Sequence, residues 1–186
     1  MQDGQPDIYL AGPEVFFPDP LRHGRALKAI CSAGGAIGHF PLDNQQAVNH
    51  PDPDVMAANI SRADEELVRR CDAVIANMQP FRGPSMDPGT IFEMGFARGL
   101  GKLVVGYTTD PRRMRDKLAA TMTLTEHPDG LRDPQGLLCA DFGLVDNLMI
   151  VKGAAAVLPS FESAVDFVVA HFRGAHLRGA HVFGRP

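Results

Sequence analysis

At 186 residues the chain has room for one domain built round one hydrophobic core, residues 1–186, and a two-domain enzyme is not expected. Apolar residues at 45% and charged residues at 22% match an ordinary globular protein and exclude disordered and membrane-embedded classes. With 18 Lys and Arg against 22 Asp and Glu, the formal net charge of −4 offers no electrostatic footprint for a nucleic-acid polymer, so a small ligand is expected instead.

The opening residues, MQDGQPDIYLAG, carry neither a basic segment nor a long apolar run, and no later run approaches the length needed to span a bilayer. A cytoplasmic protein is therefore expected. Ile8 to Ala11 reads as a first strand, Leu21 to Ala33 as a helix ended by Gly34-Gly35, and Ala36 to Phe40 as a second strand. Cys31 lies in that helix; with Cys71 and Cys139 it makes an odd, widely spaced set without a C-x-x-C pair, as expected of buried reduced thiols. After a Pro- and Asn-rich connection from Pro41 to Pro53, a helix runs to about Arg70 and the strand Ala73 to Met78 follows. The loop Gln79 to Pro88 leads to a helix from Thr90 to Leu100, closed at Gly101, and to the strand Leu103 to Tyr107. From Asp110 to Phe142 the pattern weakens to a short basic helix and a loop rich in Gly, Pro and Asp. Leu148 to Val151 reads as a fifth strand and Phe161 to His171 as a last helix, while the repeated Arg-Gly-Ala-His tail from about residue 174 reads as a frayed end.

This alternation of strand and helix predicts an α/β protein: a three-layer, flavodoxin-like or Rossmann-like sandwich around a five-stranded parallel sheet in the order 2-1-3-4-5. Ligands of such sheets bind beyond the carboxyl ends of the strands where the order reverses, here between the first and third strands. The segments that leave those strands are Gly12 to Phe17 and Gln79 to Glu93, both rich in Gly and Pro. Asp87 and Glu93 bracket a Gly89-Thr90 helix entry, and Gly89 permits close backbone approach. Thr90-x-x-Glu93 also has capping-box spacing, and so has Ser61-x-x-Asp64, where an acid would sit in a first turn. Asp72 reads as a turn residue. Tyr9 lies near the carboxyl end of its strand, where a buried hydroxyl needs a partner.

Taken in order, Ile8-Tyr9-Leu10-Ala11-Gly12-Pro13, Pro41 to Gln45, Cys71 to Asn77, Phe81-Arg82-Gly83, Asp87-x-Gly-Thr-x-x-Glu93-x-Gly, Leu100-Gly101-Lys102 and Asn147 to Ile150 resemble the nucleoside 2-deoxyribosyltransferase family. The resemblance implies Glu93 as nucleophile, Asp87 as general acid, Asp64 as a further carboxylate at the base pocket and Tyr9 as the residue that orients the nucleophile and the sugar. It implies Gln45 at the nucleobase. Gly12, Phe16 and Gly89 are expected among the substrate-binding positions from their place at the crevice, and Phe17 competes with Phe16 as a ring flanking base or sugar. Asn147 and Met149 match a segment that reaches into a neighbouring subunit's site, so a homo-oligomer with shared sites follows from the resemblance. Deoxyribonucleosides and free nucleobases are the implied partners, nucleotide salvage the implied role, and neither a metal nor an organic cofactor is implied. The residues 110–136 match no clear family motif.

The chemistry suits these residue types. Cleaving an N-glycosidic bond builds cationic character at C1′, so one carboxylate can attack the sugar while an acid protonates the departing base. Two alternatives are retained: a deoxynucleoside 5′-monophosphate N-glycosidase, for which Arg82, Ser85 and the helix start at Gly89-Thr90 would supply phosphate donors, and a non-catalytic nucleotide-binding sensor.

Overall fold

A computed structural model of the chain describes residues 4–44 and 49–175. Gln45 and the tail from residue 176 therefore lie outside the described residues. In chain order the elements are β1 (Asp7–Ala11), α1 (Pro20–Gly34), β2 (Ile37–His39), α2 (Pro53–Arg70), β3 (Ala73–Asn77), α3 (Pro88–Gly99) and β4 (Leu103–Tyr107). They continue with α4 (Met114–Ala119), a hairpin of β5 (Thr125–His127) and β6 (Gly130–Arg132), then α5 (Leu148–Val151), β7 (Ala156–Leu158) and α6 (Phe161–Ala175). Single 3-10 turns span Pro13–Phe16 and Pro41–Asn44.

The five-stranded sheet is parallel throughout, in the order β2-β1-β3-β4-β7, and the order reverses between β1 and β3. Parallel strands covered on both faces read as continuous apolar runs, and all of β3, Ala73 to Asn77, is buried. The period-2 alternation of a strand divides the core. Ile8, Leu10, Ala73, Ile75, Val105 and Tyr107 pack under α1 and α6; Tyr9, Ala11, Val74, Ala76 and Val104 pack under α2, α3 and α5. Tyr9 and Tyr107 thus point to opposite faces of one sheet.

One expected strand is a helix. Leu148 to Val151 forms α5, capped by Asn147, whose side-chain oxygen accepts from the Met149 N–H at 2.8 Å. Only Ile150 in that run is buried, and a four-residue apolar run cannot by itself distinguish the two conformations. The fifth position in the sheet belongs to β7, whose Ala156 and Leu158 pair with Val105 and Tyr107. Among residues 110–136, only the short helix was expected; the β5–β6 hairpin is additional. Both capping boxes also fail. Asp87 caps α3, which starts at Pro88, and Asp52 caps α2, which starts at Pro53, leaving Glu93 and Asp64 inside their helices with side chains free for other work. Asp72, expected as a turn residue, sits at a bend before β3 and accepts from the Asp7 N–H at 2.9 Å, a contact across 65 positions. Cys31 and Cys71 are buried free thiols, pushed up to about 11 and about 12 by burial, whereas Cys139 is half-buried beside the hairpin.

Candidate active site

A cavity of about 680 Å³ opens at the carboxyl ends of β1 and β3, on the α2/α3 face of the sheet. The carboxylates Asp64, Asp87 and Glu93 share its lining with Gly12, Phe16, Gly89 and Thr90, and the apolar side of α2 contributes Met56, Ile60 and Leu67. Two elements bring the acids together: mid-α2 carries Asp64, and α3 supplies both Asp87 at its cap and Glu93 in its second turn.

Tyr9 is fully buried, and its hydroxyl donates to Glu93 Oε1 at 2.5 Å. The strand alternation that turns Tyr9 toward α3 makes this contact across 84 positions of sequence. Glu93 Oε2 has no hydrogen-bond partner among the described residues. Withdrawal from solvent pushes the Glu93 carboxyl up to about 8, opposed by the Tyr9 hydrogen bond and reinforced by the charges of Asp64 and Asp87. Burial alone pushes Asp64 up to about 6. Both carboxyls are only partly covered by protein, so the desolvation is that of a deep pocket rather than of tight packing. Tyr9 is held far above its ordinary value by burial and by the Glu93 charge, and remains a proton donor at any working pH. Asp87 Oδ2 accepts from the Thr90 N–H at 2.8 Å and from the Thr90 hydroxyl at 2.9 Å, serving as helix cap and cavity wall at once.

Behind the wall lies a network that sequence reading missed. Glu14, only 6% exposed, accepts at Oε1 from Asn77 Nδ2 at 2.6 Å and from the Tyr107 hydroxyl at 3.0 Å. It anchors the turn Pro13–Phe16 to the ends of β3 and β4. Gly12 is required by this network: a Cβ there would come within 2.0 Å of Glu14 Oε2 and 2.9 Å of Asn77 Cβ. A signal was available, since Glu14, Asn77 and Tyr107 are polar groups at or just beyond the carboxyl ends of adjacent strands. Phe16 is 56% exposed and lines the cavity; its ring stacks on Phe81 at 5.4 Å, and the Arg82 guanidinium lies 5.2 Å and 4.7 Å from the two ring centres. Phe17 packs edge-on against His23 and does not line the cavity.

The remaining expected residues lie elsewhere. Asn147 and Met149 are exposed and line no part of this chain's cavity. Ser85, named above as a phosphate donor, donates to Asp146 at 2.7 Å and does not line the cavity. Among the described residues, no group of His, Cys, Asp and Glu has an arrangement that could hold a metal ion.

The parallel α/β fold described above is also found in the comparisons to known proteins. The family model described as nucleoside 2-deoxyribosyltransferase matches residues 8–149, and the chain belongs to that family. It is similar to a 2-desoxiribosyltransferase from Leishmania mexicana of solved structure, at 35% identity and a TM-score of 0.70, over 89% of this chain and 98% of that one. An uncharacterized protein of Schizosaccharomyces pombe is 34% identical over 177 residues, which cover 88% of this chain and 83% of the relative. A 2-deoxyribosyltransferase from Bacillus psychrosaccharolyticus shares the fold, with a TM-score of 0.55 and 20% identity over 86% of this chain and 90% of that one.

Proposed function

We propose that the protein moves 2-deoxyribose between nucleobases by a double displacement on Glu93. The observation that carries this reading is the 2.5 Å bond from Tyr9 to Glu93 Oε1, which orients the carboxylate in a cavity shared with two further acids. Glu93 Oε2 attacks C1′ as the glycosidic bond breaks, and the departing base nitrogen takes a proton from Asp87, with Asp64 completing the acid cluster at the base. An incoming base then attacks C1′, gives its proton back to the cluster and releases Glu93, so two inversions yield net retention. Gly12, Phe16 and Gly89 shape the walls, Gln45 is assigned to the nucleobase, and Asn147 and Met149 are assigned to the site of a second copy of the chain.

Incubation with deoxyinosine and free adenine tests the reading. Deoxyadenosine is the expected product; release of hypoxanthine without a new nucleoside would mean hydrolysis, and neither product would mean a binding protein. A carboxylate that attacks C1′ from the face opposite the base crowds a ribo 2′-hydroxyl, and Tyr9 is already committed to Glu93. A buried unpaired hydroxyl costs about 1–3 kcal/mol, so deoxyinosine should be favoured over inosine by roughly 5- to 150-fold in kcat/KM. Equal values would refute the sugar-pocket assignment.

A further inference from the structure

The segment just before α5 carries a buried carboxylate that the proposed reaction does not use. Asp146 is 2% exposed, and an isolated carboxylate at that depth would be strongly disfavoured without donors. Three are supplied. Oδ1 accepts from the Ser85 hydroxyl at 2.7 Å and from the Asn147 N–H at 2.7 Å, and Oδ2 accepts from the Met86 N–H at 3.1 Å. Nearby, the buried Lys117 donates to the Val145 carbonyl at 2.8 Å, which pins the preceding residue as well.

Two of the three donors belong to the loop that delivers Asp87. Met86 is itself buried and immediately precedes Asp87, so its backbone N–H is held one residue from the carboxylate that caps α3. The other end of the loop is closed by the Phe81 N–H to the Ser85 carbonyl at 2.9 Å, beneath the Phe16–Phe81–Arg82 stack that flanks the cavity. Asp87 is thus held from both directions: Thr90 donates to its Oδ2 from within α3, and Asp146, just before α5, accepts from the backbone N–H of the residue that precedes it.

We infer that Asp146 is a positioning residue for Asp87: it gathers Ser85, Met86 and Asn147 on one buried carboxylate and so fixes where the Asp87 carboxyl stands in the cavity. This rests on the proposed role of Asp87 in glycosidic cleavage. It also ties the cavity wall to the α5 segment, whose exposed residues Asn147 and Met149 are assigned to a second subunit. In Asp146→Asn, whichever way the amide is turned, one of its N–H groups meets another N–H where an oxygen had accepted. The side chain keeps its size and part of its bonding, while Asp87 loses its register.

A double-mutant cycle on deoxyadenosine cleavage, read by single-turnover kinetics, tests this. Asp146→Asn should lower the rate about 10- to 100-fold, the scale of displacement by about an ångström, with KM changed by less than about 3-fold. In an Asp87→Asn background the same substitution should cost less than about 2-fold, because its effect runs through Asp87. Ser85→Ala removes one donor and leaves the carboxylate in place; it should show a smaller loss that also vanishes without Asp87, and it serves if Asp146→Asn does not fold. Equal fold-losses in the two backgrounds, or no loss in either variant, would overturn the assignment while leaving the glycosyl-transfer reading intact. A folded wild-type protein that cleaves no N-glycosidic bond would overturn that reading, and this one with it.

Discussion

Glu93 carries opposing demands, and its environment shows how they are met. The proposed nucleophile must be ionised, yet withdrawal from water pushes its carboxyl up to about 8, while Asp64 stands at about 6. Between those values the cluster holds one proton, which belongs to the coupled carboxylates rather than to either residue. Below about 6 Asp64 and Glu93 are both protonated, so the proposed nucleophile is blocked; above about 8 both are ionised and the pair has no proton to pass on toward the departing base. A bell-shaped kcat/KM profile with its optimum near pH 7 is therefore expected, and Asp64→Asn should shift or remove a limb. A profile flat from pH 5 to 9 would contradict this. The same raised value makes Glu93 a liability to the fold. Its folded pKa lies above the ordinary 4.5, so the penalty is absent below about pH 4.5, grows as pH rises and is complete above about 8. Glu93→Gln should abolish transfer and yet stabilise the protein at pH 8.5, by about 2 kcal/mol after allowance for water in the open cavity, with little gain at pH 4.5. Thermal unfolding of both proteins at the two pH values checks the sign; a Gln variant less stable at pH 8.5 would refute it.

The turn Pro13–Phe16 and the first turn of α3 each serve the fold and the site together. The turn holds Phe16 at the cavity because Glu14 is bonded to Asn77 and Tyr107, and because Gly12 leaves room for the Glu14 carboxylate. Gly12→Ala should cost about 1–3 kcal/mol by overpacking, and activity should fall with it as the turn is pushed away from β3. Urea unfolding measures the first effect, and an unchanged midpoint would mean that the turn yields freely. At α3, Asp87→Ala removes the cap as well as the proposed acid, with an expected stability loss of about 0.5–2 kcal/mol. Asp87→Asn, which can still cap, should lose rate with a smaller loss of stability. An Asn variant with unchanged rates on every base would exclude the acid role.

At the scale of the molecule, the reversal between β1 and β3 opens the crevice, and the α2/α3 layer walls it. Several large apolar side chains stay outside both core clusters: Met149 is 76% exposed, and Phe92, Phe142 and Leu137 are also exposed. The Asn147–Met149 segment, away from this chain's own cavity, is the feature on which the proposed assembly rests. Sedimentation should give a dimer or larger species, with activity per chain falling on dilution through the dissociation constant. A fully active monomer at micromolar concentration would refute shared sites. No helix among the described residues is long and apolar enough to cross a membrane.

From sequence alone came the alternation that defines a parallel α/β sheet, its strand order, the crevice between β1 and β3, and the family resemblance that the match over residues 8–149 bears out. These signals are local: apolar runs, glycine stops and short motifs need only neighbours in the chain. Position 9 shows the limit, because the strand pattern says only that a buried tyrosine hydroxyl needs a partner, and it is the sheet's alternation and the placement of α3 that give it to Glu93. The capping-box spacings at Thr90 and Ser61 misled for the same reason, since the true helix starts lie at Pro88 and Pro53 and the acids turn toward a cavity made by other elements. Leu148 to Val151, expected as the fifth strand, is a helix, and Ala156 to Leu158, to which no element was assigned, takes that place in the sheet, because a short apolar run acquires its conformation from its neighbours: Asn147 caps the first, and the open edge of β4 recruits the second. Glu14 with Tyr107, and Asp146 with Ser85, are contacts across 93 and 61 positions. Only the folded chain decides such pairs, because a buried carboxylate takes its donors from whatever the packing brings to it, and no spacing in the sequence records that.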